Sequence, residues 1–168
     1  MRGHPVDNYV EQYKALINEI CTLSLISSPE RFYESANFKI DDVDFTLLHQ
    51  DRDQGQAVLI YGDLGPLPER NRDRSLQALM DINFHMFSGA HSPAFSFNAQ
   101  TGRVLLMGSV ALQMANAEGV LLLMKSFAEL AKEWREHGFA DKASVTPGSM
   151  PVAPSGQREV LSARGRFQ

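Results

Sequence analysis

The chain has 168 residues, of which 43% are apolar and 21% charged, values ordinary for one globular domain with its own core. A single cysteine, Cys21, excludes an intramolecular disulfide framework and a multi-cysteine metal site. The net charge is −4, and four basic and two acidic residues follow Gly138, so the preceding body carries −6, which argues against nucleic acid as a partner. The chain has no apolar run near its start and none long enough to span a bilayer, so we expect a soluble cytoplasmic protein with no membrane insertion.

The first predicted element is a helix over residues 7–26. Apolar residues recur there at spacings of three and four, which places them on one helical face. They are Val10, Tyr13, Leu16, Ile17, Ile20 and Leu23. Asp7 suits the N-cap position, and the sequence Ser-Ser-Pro that follows is predicted to end the helix.

Three strands in a meander are predicted next. Apolar and polar residues alternate at 38–40 and 43–48, which indicates two strands that each bury one face. The pair Asp41-Asp42 between them is typical of a tight turn. Residues 56–61 are almost continuously apolar, which favours a central strand.

The second half of the body contains a helix and a hairpin. Residues 62–68 are rich in Gly and Pro and predict irregular backbone before a helix over 69–87. Strands are then predicted over 93–98 and 103–112, with Gly102 at a positive-φ position of the loop that joins them.

A last helix is predicted from residue 116 or 117 to His137, with Gly138 ending it. Pro, Gly and Ser are frequent after that point. We therefore predict a globular domain over residues 1–138 and a basic, flexible tail over 139–168. The element order is α-β-β-β-α-β-β-α, which indicates an α+β fold whose mainly antiparallel, twisted sheet packs on helices.

No set of reactive side chains has the spacing of a catalytic or metal site. The five histidines lie far apart and show no ligand spacing. Residues 51–55, Asp-Arg-Asp-Gln-Gly, lack the third ligand and the closing glutamate of a calcium loop. Residues 62–65 do not continue as a phosphate-binding loop, and no Gly-x-Ser-x-Gly elbow occurs. We predict no enzymatic activity, no cofactor and no metal.

Apolar residues exceed what one core-facing stripe on each element requires. The extra residues are Leu48, Ile82, Met86, Leu121 and Leu122. Burial of the helices on several sides is the alternative interpretation. Contiguous exposed apolar surface usually marks a partner site, so the surplus favours a dimer or partner interface.

Four stretches resemble the class I type III secretion chaperones, the CesT/SycE-like (Tir chaperone) family. Residues 59–68, LIYGDLGPLP, are similar to the family's strand and G-x-(L/I)-G-x-L-P loop. Residues 76–83, LQALMDIN, are similar to its L-L-x-A-N helix, and 97–106, FNAQTGRVLL, resemble its hairpin with a T-G turn. Residues 127–135, FAELAKEWR, resemble its F-x-x-x-A-x-x-W ending. With the opening helix, the resemblance covers about residues 7 to 137.

The resemblance implies the fold of these chaperones, a homodimer, and a function in the bacterial cytosol. Such a protein binds the N-terminal chaperone-binding segment of its cognate effector, keeps it soluble and secretion-competent without hydrolysing nucleotide, and presents it to the secretion apparatus. The implied dimer contact comprises Leu79, Met80, Asn83, Phe84 and Phe87. The implied effector contacts are Leu16, Ile17, Ile20, Phe38, Phe45 and Leu47. For each of these residues, core packing is the alternative.

Two other functions stay open at this point. One is an α+β domain that binds a small molecule or has enzymatic activity, which a deep polar pocket with convergent ionisable groups would favour. The other is an adaptor or regulator of the secretion system without a dedicated client. Only the identity of the partner separates that function from a chaperone.

Overall fold

The computed structural model describes residues 5–52, 55–89 and 91–139. Among these residues lie three α-helices and five strands. They are α1 (Pro5–Leu23), β1 (Ala36–Ile40), β2 (Val43–Arg52), β3 (Gly55–Pro66), α2 (Arg72–Met86), β4 (Ala94–Asn98), β5 (Arg103–Ala111) and α3 (Ala117–His137). All neighbouring strands are antiparallel, in the order β1-β2-β3-β5-β4. The predicted α+β class and element order are confirmed, and short 3-10 turns at Pro29–Phe32 and Leu112–Met114 add to them.

The ends of α1 differ from the prediction at both sides. The helix begins at Pro5, so Asp7 lies within its first turn rather than at the N-cap. It ends at Leu23 because Leu25 adopts the left-handed conformation, with φ of 56°. The Ile26 N–H then donates to the Cys21 carbonyl at 2.8 Å, which closes the helix in a Schellman arrangement.

The predicted turn between the first two strands is confirmed. Asp41 and Asp42 have φ values of 48° and 63°, and Ile40 pairs with Val43, so the connection is a two-residue hairpin turn of type I′. Such a turn has a right-handed twist that matches the strands it joins.

The prediction of irregular backbone over residues 62–68 is wrong for most of that segment. β3 continues to Pro66, because Gly62 pairs with Leu106 and the strand stays hydrogen-bonded to β5 beyond it. The register shifts between Asp63 and Gly65, so a bulge accommodates the glycine at φ 108°. A Gly- and Pro-rich sequence can therefore form the bulged end of a strand.

One face of the sheet packs against α1 and α3 and forms the core. Alternate residues of β1 and β2 point to this face, among them Phe38 and Phe45, which pair directly. Gly62 and Gly108 lie on the same face, where a Cβ atom would come within 2.8 Å of the Phe45 ring and 2.9 Å of the Phe127 ring. Because these glycines have no Cβ atom, the two aromatic rings can approach the strands closely.

The C-terminal end of α3 sets the boundary of the globular body. Gly138 caps the helix at φ 56°, as predicted, and its N–H donates to the Trp134 carbonyl at 2.6 Å. Phe139 is buried, with its ring centroid 5.4 Å from that of Trp134 and 5.6 Å from that of Phe95. The body therefore includes Phe139, one residue beyond the predicted boundary at 138. The rest of the predicted tail lies outside the described residues.

Candidate partner-binding surface

The six residues predicted to contact an effector all lie in the hydrophobic core. Each is at most 8% exposed: Leu16, Ile17, Ile20, Phe38, Phe45 and Leu47. They belong to one cluster of buried residues that α1, β1 and β2 contribute together with other elements. Their burial favours core packing in this conformation, so effector contact by these side chains stays a prediction.

Leu16 differs from the other five because it also lines an open hollow. The hollow has a volume of about 360 Å³ and lies between α1 and the 3-10 turn before α3. Leu112 closes the same side, and Gln12, Glu19 and Gln113 line it with polar groups. An apolar floor with a polar rim suits the side chain of a bound peptide.

Tyr13 connects α1 to the sheet beneath this region. Its hydroxyl donates to the Leu47 carbonyl at 3.2 Å, and its ring stacks on His49 with centroids 5.3 Å apart. Burial disfavours the phenolate and raises the pKa of Tyr13 to about 12. The contact fixes α1 to β2 at neutral pH.

The residues predicted for a dimer contact divide into two groups. Met80 and Phe84 on α2, and Phe87 directly after it, are 71%, 78% and 74% exposed and form an apolar stripe on the outside of the helix. Leu79, by contrast, is buried against the body. Three large apolar side chains in solvent at helical spacing are unusual for a monomer and typical of an interface.

Asn83 makes a pair of hydrogen bonds within the chain. Its Nδ2 donates to the Phe95 carbonyl at 3.0 Å, and the Phe95 N–H donates to its Oδ1 at 2.7 Å. The side chain therefore connects α2 to the outer edge of β4. Contact of Asn83 with a second subunit stays a prediction.

The opposite face of the sheet carries a second apolar feature. Tyr61 pairs with Met107, and Met107 pairs with Ala94, so their side chains form a row across three strands. Together with Leu59 they line a hollow of about 300 Å³, and all four are partly exposed. Polar side chains line the rest of the hollow, those of Gln50, Ser92 and Ser109. The sequence does not predict this feature, because β3 is almost continuously apolar and its pattern does not indicate which face the helices cover.

A third hollow, of about 680 Å³, lies between α3 and the β1–β2 turn. Asp41, Asp42, Glu129 and Lys132 line it, together with Arg135. The Arg135 guanidinium donates to three backbone carbonyls, those of Leu64, Asp42 and Asp63, at 3.0 to 3.2 Å. Arg135 therefore ties α3 to the ends of the strands and is a structural residue that the sequence did not reveal.

Asp63 stabilises the β3 bulge and holds a second arginine. Its Oδ1 accepts from the Gly65 N–H at 2.9 Å and its Oδ2 accepts from Arg103 Nε at 2.7 Å. The hydrogen bond and the charge of Asp63 raise the pKa of Arg103. Across residues 5–52, 55–89 and 91–139, no three His, Cys, Asp or Glu side chains are grouped so that they could hold a metal ion. No helix in the same ranges is both long and apolar enough to cross a membrane.

The family of the chain follows from its sequence. Residues 33–135, more than half of the chain, match the model of the Tir chaperone protein (CesT) family. The chain belongs to this family. No curated protein sequence is similar enough to count as a match.

Solved structures with the same fold include three complexes. The structure of the HopA1-SchA chaperone-effector complex matches with a TM-score of 0.59 and 18% identity, over 79% of this chain and 99% of that chain. The crystal structure of the ExsC-ExsE complex matches with a TM-score of 0.60 and 19% identity, over 76% of this chain and 93% of that chain. The structure of the ExoT-SpcS complex from Pseudomonas aeruginosa matches with a TM-score of 0.54 and 15% identity, over 73% of this chain and 96% of that chain. At these identities the matches establish a shared fold.

Proposed function

We propose that this protein is a type III secretion chaperone of the bacterial cytosol. It binds the N-terminal segment of a secreted effector and keeps that segment soluble and secretion-competent, without enzymatic activity or nucleotide hydrolysis. The family match over residues 33–135 carries this proposal. The shared fold supports it, because one of the matching structures is a chaperone-effector complex.

The active form that we propose is a homodimer with α2 in its interface. A two-fold interface must be complementary to itself, so it needs a protruding and a receiving part on the same surface. Phe84 and Phe87 protrude from α2, and the hollow beside Tyr61 and Met107 can receive apolar groups. In this arrangement the aromatic side chains of each subunit insert into the hollow of the other.

The effector segment binds, in our proposal, along β1 and in the hollow beside Leu16. β1 is an edge strand, and residues in a β-strand alternate in the direction of their backbone groups. Ile40 and Val43 flank a two-residue turn and bond to each other, so the N–H and C=O groups of Asn37 and Lys39 point away from β2. An extended effector chain can add to this edge as a sixth strand.

The net charge of the body supports the same function. The residues up to Gly138 carry −6, which keeps a protein with exposed apolar side chains in solution. The same charge attracts a basic segment and speeds its association.

The first test is co-purification of the full chain from its own bacterium, followed by mass spectrometry of the bound proteins. We expect one secreted protein, retained through roughly its first hundred residues and lost when that segment is deleted. Recovery of the chain alone, or of metabolites only, would contradict the proposal.

A backbone substitution tests the site. Lys39→Pro removes the outward N–H of β1 without removing any hydrogen bond to β2, and we expect effector binding to weaken by about tenfold, the value of one lost hydrogen bond. Lys39→Ala keeps the N–H and serves as the matched control. Binding is measured by calorimetry with the captured segment. Equal binding of both variants would show that the effector does not bind at this edge.

A further inference from the structure

The two edges of the sheet differ in their access to a partner strand. β1 and β4 are the outermost strands. Among the described residues, none hydrogen-bonds to the outward backbone groups of Asn37 and Lys39 in β1. In β4, by contrast, the outward N–H and C=O of Phe95 are both occupied by the carboxamide of Asn83.

We propose that Asn83 closes the β4 edge of the sheet against strand addition. A neighbouring strand would offer one acceptor to the Phe95 N–H and one donor to the Phe95 carbonyl. The carboxamide of Asn83 supplies this pair of groups at 2.7 and 3.0 Å. Asparagine suits the role, because its side chain ends in a carbonyl oxygen and an NH₂ group that can act side by side.

Two further features lie beside this edge, one on either side of Phe95. Pro93 lies directly before β4 and has no N–H to offer to a strand. Because outward groups alternate along a strand, Phe97 is the next outward residue, and the guanidinium of Arg72 lies 5.1 Å from the centroid of its ring. The start of α2 therefore contacts a side chain at this end of β4, and the carboxamide of Asn83 bonds to the backbone in the middle of the strand.

With the β4 edge closed, a further strand can be added only at the β1 edge of the sheet. An edge strand with free backbone groups pairs readily with other chains, and proteins commonly protect such edges. With β4 closed, an extended partner segment is directed to β1. The choice of β1 for an effector rests on the proposed function, whereas the closure of β4 rests only on the contacts of Asn83.

Hydrogen exchange at Phe95 in the full chain tests the closure. In Asn83→Leu, a change of similar size without hydrogen-bonding groups, we expect the Phe95 amide to exchange up to about tenfold faster. The control is Gln77→Leu, which makes the same kind of replacement at an exposed position of α2 and should leave this amide unchanged. Equal exchange in the wild type and in Asn83→Leu would overturn the proposal.

Self-association provides a second measurement. By light scattering at increasing concentration, we expect Asn83→Leu to form assemblies larger than the wild type through β4 edges that are now free. Asn83→Asp serves if the first variant does not fold, because it keeps an acceptor for the Phe95 N–H and places an oxygen against the Phe95 carbonyl. Variants that keep the wild-type mass at every concentration would show that Asn83 does not close the edge. Neither measurement needs an effector, so failure of the proposed function would leave both unchanged.

Discussion

The helices that cover the sheet and the helix at its edge are built differently. α3 has a capped N-terminus, where the Asn116 side chain accepts from the Gly119 N–H at 2.8 Å, and a left-handed glycine at its end. Seven of its residues are buried, from Ala117 to Trp134. α2 buries three residues, and Asn71 at its N-cap is left-handed and makes no side-chain capping bond. α3, like α1, therefore buries apolar side chains against the rest of the fold, whereas α2 leaves Met80 and Phe84 in solvent.

The largest expected effect separates the two kinds of helix. Trp134 on α3 is 1% exposed, so Trp134→Ala should lower the free energy of unfolding by about 3–5 kcal/mol. Phe84 on α2 is 78% exposed, so Phe84→Ala should lower the free energy of unfolding of the isolated subunit by about 0.5 kcal/mol or less. Urea unfolding at low protein concentration measures both. Similar losses in the two variants would contradict the comparison.

A charged residue on α2 should affect assembly rather than folding. Phe84→Asp places a carboxylate in the proposed interface, and we expect the dimer to weaken by about 2 kcal/mol or more, roughly 30-fold, with unchanged circular dichroism. The control, Ser126→Asp, introduces the same charge at an exposed position of α3, outside the proposed interface. An unchanged dimer mass for Phe84→Asp in light scattering would show that α2 is not part of the interface.

The two N-caps provide a smaller effect. Asn116→Ala removes a capping bond of α3 and should cost about 1 kcal/mol of unfolding free energy. Asn71→Gly on α2 loses no side-chain cap and replaces a residue at φ 59° by one that tolerates it. Its stability should therefore change by no more than about 0.5 kcal/mol. Thermal unfolding measures both variants. A larger loss of stability for Asn71→Gly than for Asn116→Ala would show that the N-terminus of α2, and not that of α3, depends on its N-cap residue.

The last expected effect is a dependence on alkaline pH, and it comes from Tyr13 on α1. Its pKa is raised by burial to about 12 from the ordinary value of 10.0, so the unfolded chain loses the proton first. The stability that this group contributes is complete below pH 10 and declines as the pH rises from about 10 to about 12. Tyr13→Phe should abolish this part of the decline, at the cost of about 1 kcal/mol for the lost hydrogen bond to Leu47. An identical alkaline decline in the variant would show that other groups cause it.

Much of the fold could be predicted because periodicity reports burial directly. The stripe at Tyr13, Leu16 and Ile20 and the alternation around Phe45 correctly placed helix and strand, and all four residues are buried. The extent of β3 could not be predicted, since pairing with β5 outweighs the local preference of Gly65 for a turn. Strand length is decided by a partner that lies far away in the sequence.

The candidate site was less predictable for a related reason. An apolar residue in a helix or strand has the same local pattern whether it faces the core or a partner. Three of the five residues assigned to the dimer contact are exposed, whereas Leu79 is buried and Asn83 binds the edge of β4. All six assigned to effector contact lie in the core. Only packing distinguishes the two sides of each element.

The sequence by itself determined the α+β class, the order of the elements, the tight turn at Asp41 and the family of the chain. These depend on local spacing, turn chemistry and motif order, which are properties of short segments. The tertiary structure alone decided which apolar side chains stay in solvent, which edge of the sheet is open, and where Asn83 and Arg135 donate their hydrogen bonds. Each of these depends on contacts between residues distant in the chain, and exposure is defined only once those contacts have formed.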